Sequence, residues 1–407
     1  MFALATLAAT TAFAQTTDGK SGVQITGNMN AGIVSQNYFG NKVSGFEQNG
    51  MGTSVIFIRA QEDLGDGWNA HLLHGSDWQF MTNQGDAGVP PSGITTAAAV
   101  GSAAPVTSVA NAGSKGTFGN DMKLVGLTTP YGTVNFGTIN NQSLYGGTVL
   151  LNPQWGTSYA GGYGSVNCAD PTCGYVRYDN TAEYKSPVLS GFQLFGQMAQ
   201  KQNLSTTNNW AQTLGLINQP AMTEISAKYS QGPFVAQVTR LDTDATGTGT
   251  AGTFSSTAGL LTGTASAKKS LTTAVAAYQL GDLRFGALYQ TVLNPTLLGY
   301  GLGNDTTKSS DRTATQVNAI YTFGVNTIVL NAGQSKENNA LKTLGGGKTS
   351  KFTSIGYKYA LSKMTSLEAK YENLDDAAFI TTMPTQFGST RTSNTRVRST
   401  LGLNMNF

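Results

Sequence analysis

The chain has 407 residues, of which 50 are glycine and only 12% are charged, and its formal net charge is +3. Soluble domains carry about 25% charged residues and about 7% glycine, so the composition does not favour an ordinary soluble domain. Nucleic-acid binding is not favoured either, because it normally needs a dense face of Lys and Arg, and the longest basic run here is Lys268-Lys269.

The first fourteen residues predict a signal peptide. The stretch 1–14 is apolar and ends in Ala12-Phe13-Ala14, an A-x-A cleavage pattern. It is shorter than the roughly 20 apolar residues that a membrane-spanning helix needs. A basic segment normally opens such a peptide and is missing, which leaves open that the true start lies upstream of Met1. Export through the periplasm is expected, and a frayed apolar tail is the alternative for this stretch.

The rest of the chain, 15–407, predicts a single β-barrel domain. Polar residues interrupt each later apolar run within a few positions. Only helices and closed barrels satisfy all backbone hydrogen bonds in lipid, so a membrane protein with this sequence has to be a barrel.

Apolar and polar residues alternate along the chain, the pattern of a β-strand with one wet face. In Thr395–Phe407 the even positions are mostly polar, and most odd positions are apolar: Val397, Leu401, Leu403, Met405 and Phe407. In Val176–Lys185 one face would carry Val176, Tyr178, Ala182 and Tyr184, and the other Arg177, Asp179, Glu183 and Lys185. Ser366–Tyr371 alternates in the same way.

Two kinds of connection separate these strands. Seven are short and rich in turn-forming residues: 64–67, 130–132, 187–191, 231–233, 281–282, 324–326 and 362–363. Eight are long and polar: 36–50, 80–116, 141–174, 201–219, 242–267, 293–311, 337–349 and 375–394. They predict an all-β, 16-stranded antiparallel transmembrane barrel with short periplasmic turns and long extracellular loops.

Short stretches spread over nearly the whole mature chain carry a family resemblance. They are Val23–Gly27 with Ala31–Ile33, Arg59 followed by Glu62–Gly67, Val125–Leu127 with Tyr131–Val134, Arg177–Asn180 through Tyr184 and Ser186-Pro187, Ala277–Gly281, and the terminal Phe407. In their order and spacing they resemble the general porins of Gram-negative bacteria, especially the β-proteobacterial branch.

The resemblance implies an outer-membrane diffusion channel for small hydrophilic solutes and ions. It implies a homotrimer in contact with outer-membrane lipid and lipopolysaccharide, with the third long loop, 141–174, folded inward as a constriction. It also implies that Phe407, with Leu403 and Met405, is the signal read by the outer-membrane assembly machinery. A residue of the outer aromatic girdle is the alternative for Phe407.

Charged residues at inward positions are candidates for the pore lining. A charge facing lipid at mid-membrane would cost about 2–4 kcal/mol, so the alternation predicts that these side chains face the lumen. The candidates are Arg59, Arg177, Asp179, Glu183, Lys185, Arg284, Arg396 and Arg398, together with Asp170 in the third loop. For each, the alternative is a lumen-wall charge away from the constriction.

The sign of the selectivity rests on a few positions. Anion-preferring members of the resembled family carry arginines where this chain has Asn120 and Thr138. The third loop has one acid, Asp170. We therefore expect a weak anion preference, with Arg59 and Arg177 as the main cationic wall.

Cys168 and Cys173 are the two cysteines of the chain and both lie in the third loop. In an oxidising compartment two such neighbours predict a disulfide. A metal site is not expected, because no histidine or further cysteine is nearby, and no cofactor is expected either.

Three other functions share parts of this sequence pattern. An enzyme is not expected: no G-x-S-x-G or phosphate-binding glycine loop is present, and His71 and His74, three apart on a strand, cannot bind one ion together. A surface adhesin or structural β-protein would show repeats or an uncharged sandwich core. A substrate-specific channel on the same barrel stays open, with Trp155, Tyr159 and Tyr163 as possible sugar-stacking residues.

Overall fold

The structure is a computed structural model of the full chain. It describes residues 21–38, 41–48, 53–77, 121–154, 177–200, 221–243, 253–255, 260–262, 269–293, 312–337, 349–375 and 395–407.

The described chain is almost entirely β-structure. The strands are β1 (Gly22–Tyr38), β2 (Asn41–Gln48), β3 (Val55–Gly65), β4 (Trp68–Asp77), β5 (Lys123–Thr129), β6 (Gly132–Asn140), β7 (Arg177–Lys185), β8 (Phe192–Ala199), β9 (Met222–Gln231), β10 (Phe234–Thr243), β11 (Thr253–Ser255), β12 (Leu260–Thr262), β13 (Lys269–Leu280), β14 (Leu283–Leu293), β15 (Arg312–Phe323), β16 (Asn326–Glu337), β17 (Thr349–Ala360), β18 (Thr365–Asp375) and β19 (Thr395–Asn406). A π-helical turn (Gln142–Gly146) and the helix α1 (Gly147–Leu151) follow β6.

Seventeen strands form one antiparallel sheet, and β11 pairs only with β12. The sheet closes on itself because β1 pairs with β19 at one edge and with β2 and β3 at the other. Since β2 and β3 pair with successive halves of β1, they occupy one position around the barrel. The result is the expected 16-stranded antiparallel barrel, which rules out the sandwich core of the adhesin alternative.

The interruption between β2 and β3 is bridged by a side chain. The hydroxyl of Ser54 accepts a hydrogen bond from the backbone N–H of Asn30 at 3.1 Å, and it lies 3.5 Å from the Asn30 carbonyl oxygen as a donor. Ser54 therefore pairs with β1 where the strand ladder is broken.

The seven predicted short turns are confirmed, and they lie at one end of the barrel, here called the turn end. Glycine at positive φ is found in six of them, at Gly65, Gly67, Gly132, Gly191, Gly232, Gly281 and Gly324. The opposite end is called the loop end.

One predicted long loop is wrong in extent. The stretch 36–50 was expected to be a loop, but β1 continues to Tyr38 and β2 runs from Asn41 to Gln48. The strand β2 contains asparagine, serine and glycine, which are also common in loops. Pairing with β1 stabilises it as a strand in spite of their low strand propensity.

The two faces of the barrel differ in chemistry. The outer face carries exposed apolar residues, such as Ile25 on β1, Val238 on β10, Tyr357 on β17 and Leu401 on β19. The inner face of the same strands carries polar side chains. Apolar outside and polar inside is the reverse of a soluble protein, and it fits a barrel that is surrounded by lipid.

A β-bulge in β7 changes which side chains point inward. Asn180 has a positive φ of 49°, and the register with β6 shifts between Gly137 and Ile139. Tyr178 therefore shares the inner face with Thr181 and Glu183, although their positions differ in parity. Arg177, next to Tyr178, points outward.

No helix in the part of the chain that the structure describes is long and apolar enough to cross a membrane.

Candidate pore lining

The segment after β6, residues 141–152, lies inside the barrel and is called the inward segment. The π-helical turn contacts β9, β10 and β13, and α1 contacts β13 and β14. We call the inner faces of β9, β10, β13 and β14 the anchor wall. Most of this segment is buried against it, including Asn141, Ser143, Thr148 and Leu151, each at 0% exposure.

A buried carboxylate holds the start of the segment. Glu224 on β9 is 1% exposed. Its two oxygens accept hydrogen bonds from the backbone N–H groups of Gln142 and Ser143, at 2.7 and 2.8 Å. A buried backbone N–H that is left without an acceptor costs about 1–3 kcal/mol, so Glu224 is a strong polar anchor for the start of the segment.

Two uncharged side chains of the anchor wall also hold the start of the segment. Thr273 on β13 donates to the Ser143 carbonyl at 2.8 Å, and Gln237 on β10 donates to the Gln142 carbonyl at 3.3 Å. Backbone donors and acceptors of the segment are thus satisfied by the wall, as buried backbone groups require.

The end of the segment is held by an arginine and by packing. The guanidinium of Arg284 on β14 donates to the Leu151 carbonyl at 2.7 Å and to the Leu150 carbonyl. Leu151 packs against Val275 and Leu288. A Cβ at Gly286 would lie 2.7 Å from Leu151 Cδ1, so the absence of a side chain there makes room for the leucine.

The inner face of β17–β19, with β2, is built differently. It carries three acids and three bases, which we call the charge ladder: Glu47, Lys358, Glu368, Lys370, Glu372 and Arg398. Arg398 donates to Glu47 at 2.6 Å, and Lys358 lies 3.6 Å from Glu368. Glu368 also accepts from Ser366 at 2.8 Å and from Asn404 at 3.3 Å. The ladder has no net formal charge.

A third network crosses β4 to β8. His71 Nε2 lies 2.7 Å from Asn135 Oδ1, and Asn135 donates to Glu183 at 2.8 Å. Glu183 also contacts Lys185 at 2.9 Å and Gln197 at 2.6 Å. His71 and Asn135 lie on either side of β5, and they meet because Gly126 stands between them.

Acids and bases of the inner face differ in exposure. Four glutamates (Glu183, Glu224, Glu368 and Glu372) are each at most 2% exposed, whereas Arg59, Lys185, Lys228, Arg284 and Lys358 are half-buried. Lys370 and Arg398 are buried too, and Glu47 is 23% exposed beside Arg398. Asp63 and Asp77 lie near the two ends of the barrel. The surface that a solute meets between the ends is therefore more basic than the formal charges suggest.

Most predicted lining residues face inward. Arg59 lies on β3, 5.6 Å above the ring of Phe57. Glu183, Lys185, Arg284 and Arg398 also face the lumen. Arg396 lies in β19 opposite Leu374, at an inward register position.

Arg177 and Asp179 do not face the lumen, and this part of the prediction is wrong. Because of the bulge at Asn180, Arg177 points outward, where it bonds Asp121 at 2.5 Å and Asn140 at 3.1 Å. Asp179 accepts from Thr138, another outward residue, at 2.5 Å. The strict alternation of the sequence gave no sign of the extra residue.

Asp170, Cys168 and Cys173 lie outside the described residues, as do Trp155, Tyr159 and Tyr163. In the described part, no group of three or more His, Cys, Asp and Glu side chains is arranged to hold a metal ion.

The sequence did not predict an apolar cluster on the inner face near the loop end. It comprises Tyr178, Ala199, Met222, Leu241, Leu271 and Val292, each 3% exposed or less. Alternation could not reveal it, because these residues are apolar on the face that the pattern assigns to polar residues.

Comparison with known proteins places this geometry in a family. A family model described as Gram-negative porin matches residues 2–378. No curated protein matches the sequence.

Several solved structures share the fold. An anion-selective porin from Comamonas acidovorans matches with a TM-score of 0.63 and 17% identity, over 95% of this chain and all of that chain. OmpT, an outer membrane protein of Vibrio cholerae, matches with a TM-score of 0.59 and 12% identity, over 97% of this chain and all of its own. OmpF of Salmonella typhi, in complex with daunomycin, matches with a TM-score of 0.56 and 11% identity, over 96% and 98%.

Proposed function

This chain belongs to the Gram-negative porin family and is an outer-membrane channel protein, and we propose that it is a passive diffusion pore for small hydrophilic solutes and ions with a weak preference for anions. The family assignment favours a channel over an enzyme.

The difference in exposure between acids and bases carries the proposed anion preference. Buried glutamates such as Glu183, at 1% side-chain exposure, hold partner bases such as Lys185, at 34%. The same holds for Glu368 at 2% and Lys358 at 24%. Charges that line a pore select ions according to their sign, so the more accessible bases favour anions, while the nearby acids keep the preference weak.

The anion-selective porin of Comamonas acidovorans shares the fold of this chain. At 17% identity this likeness shows the fold alone, so the proposed sign of selectivity rests on the inner-wall side chains of this chain. Arg59 remains in the proposed cationic wall, and Lys185, Arg284 and Lys358 take the place of Arg177.

Reversal potentials of the refolded protein in planar bilayers under a KCl gradient test the proposal. We expect a large, linear conductance with a modest shift towards the chloride potential. A folded protein without conductance would refute the diffusion pore. Conductance with a shift towards the potassium potential would refute the anion preference. Block by one solute class at low concentration would favour a substrate-specific channel.

We also propose that the loop 141–174 narrows the pore. Its described start, Asn141 to Asn152, lies on the anchor wall inside the barrel and supports this role. A disulfide between Cys168 and Cys173 would stiffen the rest of the loop. Mass spectrometry of the unreduced protein checks it, because a linked pair does not react with an alkylating reagent.

The proposed assembly is a homotrimer in contact with outer-membrane lipid and lipopolysaccharide. A trimer form is described for OmpT of Vibrio cholerae. The outward pair Arg240 and Asp242, 2.9 Å apart and about half exposed, offers polar contacts near the loop end. Light scattering in detergent checks the trimer.

The proposed assembly signal at Phe407 has two measurable parts. Removing Phe407 should reduce insertion in cells, where the assembly machinery acts. The same deletion should reduce refolding into pure lipid much less. An equal loss in both assays would mean that Phe407 acts only in closing the barrel.

A further inference from the structure

One basic residue of the inner face differs from the others in its surroundings. Lys228 lies on β9 and is half-buried. It shares the inner face with Glu224 and Ser226. Its partners across the neighbouring strands are Gln193 on β8 and Gln237 on β10, so uncharged amides flank it on both sides.

The other described inward bases are engaged. Lys185 pairs with Glu183, Lys358 with Glu368, and Arg398 with Glu47. Arg284 donates its hydrogen bonds to backbone carbonyls of the inward segment. Among the described residues, no carboxylate lies within 4.0 Å of the Lys228 ammonium, so its charge is not neutralised by a direct ion pair there.

Lys228 also lies close to the inward segment. It lies four residues from Glu224 along β9, which is about 13 Å towards the turn end. Gln237, beside it, holds the Gln142 carbonyl. Lys228 therefore lies on the turn side of the start of the inward segment, next to the side chain that holds Gln142.

An ammonium that is partly removed from water and has no counter-charge attracts anions more strongly than one on an open surface, because the local dielectric constant is lower. A lysine offers three donors without a planar geometry, so it binds carboxylate or phosphate oxygens as a point charge.

We propose that Lys228 is a selectivity-determining residue of this pore, which draws anionic solutes carrying carboxylate or phosphate groups past the inward segment. The proposal rests on the proposed diffusion pore and adds Lys228 to the basic residues that set its sign of selectivity.

Three variants test it in planar bilayers. Lys228→Gln removes the charge and keeps a polar side chain, and Lys228→Arg keeps the charge. Lys336→Gln is the matched control, because Lys336 is an exposed lysine on β16 that points away from the lumen. Heat-dependent mobility on gels and an unchanged step size of conductance show that each variant is folded.

The measured quantity is the anion-to-cation permeability ratio. We expect Lys228→Gln to lower it about twofold or more, and Lys228→Arg and Lys336→Gln to leave it unchanged. The effect should be clear near 0.1 M KCl and small near 1 M, since the screening length falls from about 10 Å to about 3 Å.

Two failures can be told apart. A wild-type potential of zero refutes the proposed anion preference, but a shift towards cations in Lys228→Gln would still support the assignment of Lys228. A clear wild-type anion preference that Lys228→Gln leaves unchanged, or that Lys336→Gln lowers equally, overturns the assignment.

Discussion

The anchor wall and the charge ladder occupy similar inward-facing positions of one barrel and serve different ends. The anchor wall uses one acid, one arginine and uncharged side chains to hold a chain segment, and its hydrogen bonds go to backbone groups of that segment. In the charge ladder, side chains bond one another. The difference shows that an inward position can either shape the pore or neutralise its wall.

The largest expected effect is at Glu224. In Glu224→Ala two backbone N–H groups lose their acceptor, and each such group costs about 1–3 kcal/mol when it stays buried and unsatisfied. The start of the inward segment should leave the wall, and single-channel conductance should rise and become noisier. Ile225→Ala, the neighbouring outward residue at 66% exposure, is the control. Wild-type conductance in Glu224→Ala would mean that the rest of the anchor suffices.

Breaking the ladder should affect stability more than conductance. Arg398→Gln leaves Glu47 without its partner, and breaking a buried ion pair costs about 3–5 kcal/mol. We expect the lower end of that range, because Glu47 is 23% exposed. The measurement is the temperature at which the folded band disappears on gels. Arg398→Gln combined with Glu47→Gln should recover part of the loss, and no recovery would contradict a paired role.

An intermediate effect is expected at Gly286. In Gly286→Ala the new Cβ would lie 2.7 Å from Leu151 Cδ1, and overpacking of this kind costs about 1–3 kcal/mol. We expect the end of the inward segment to shift and conductance to change with little change in ion selectivity. Gly196→Ala is the control, since a Cβ there meets nothing within 4 Å.

The smallest effect is expected at Lys358. Its distance of 3.6 Å from Glu368 is long, and Glu368 keeps hydrogen bonds from Ser366 and Asn404. Lys358→Gln should change the free energy of unfolding by less than about 1 kcal/mol and lower the anion preference slightly. A large loss of stability would show that the ladder acts as one cooperative unit.

Much of the barrel could be predicted from sequence because it depends on local signals. The seven short turns carry residues that tolerate turn geometry, and alternation marks the two faces of strands such as β18 and β19. These signals can be read without knowing which distant residues contact one another in the fold.

What could not be predicted depends on partners distant in sequence. The bulge at Asn180 accompanies a register shift between β6 and β7. It turns Arg177 outward, although the alternation of apolar and polar residues in β7 predicts an inward position. Nothing in the sequence around Glu224 indicated that its carboxylate meets the N–H groups of Gln142 and Ser143, some 80 residues earlier. Lys228 was missed as well, because its distinction is the lack of a counter-charge, which only the folded wall reveals.

The seam of the barrel joins the two ends of the chain. Gly27 and Phe407 exchange two backbone hydrogen bonds, at 2.8 and 3.0 Å, and β1 and β19 pair along eleven residues. Until the last strand has been made, β1 and β18 each present an unpaired edge, which is a template for aggregation. A nascent or truncated chain therefore cannot hide its edges by folding in part. We expect such a chain to need protection from other copies until β19 is available to pair with β1.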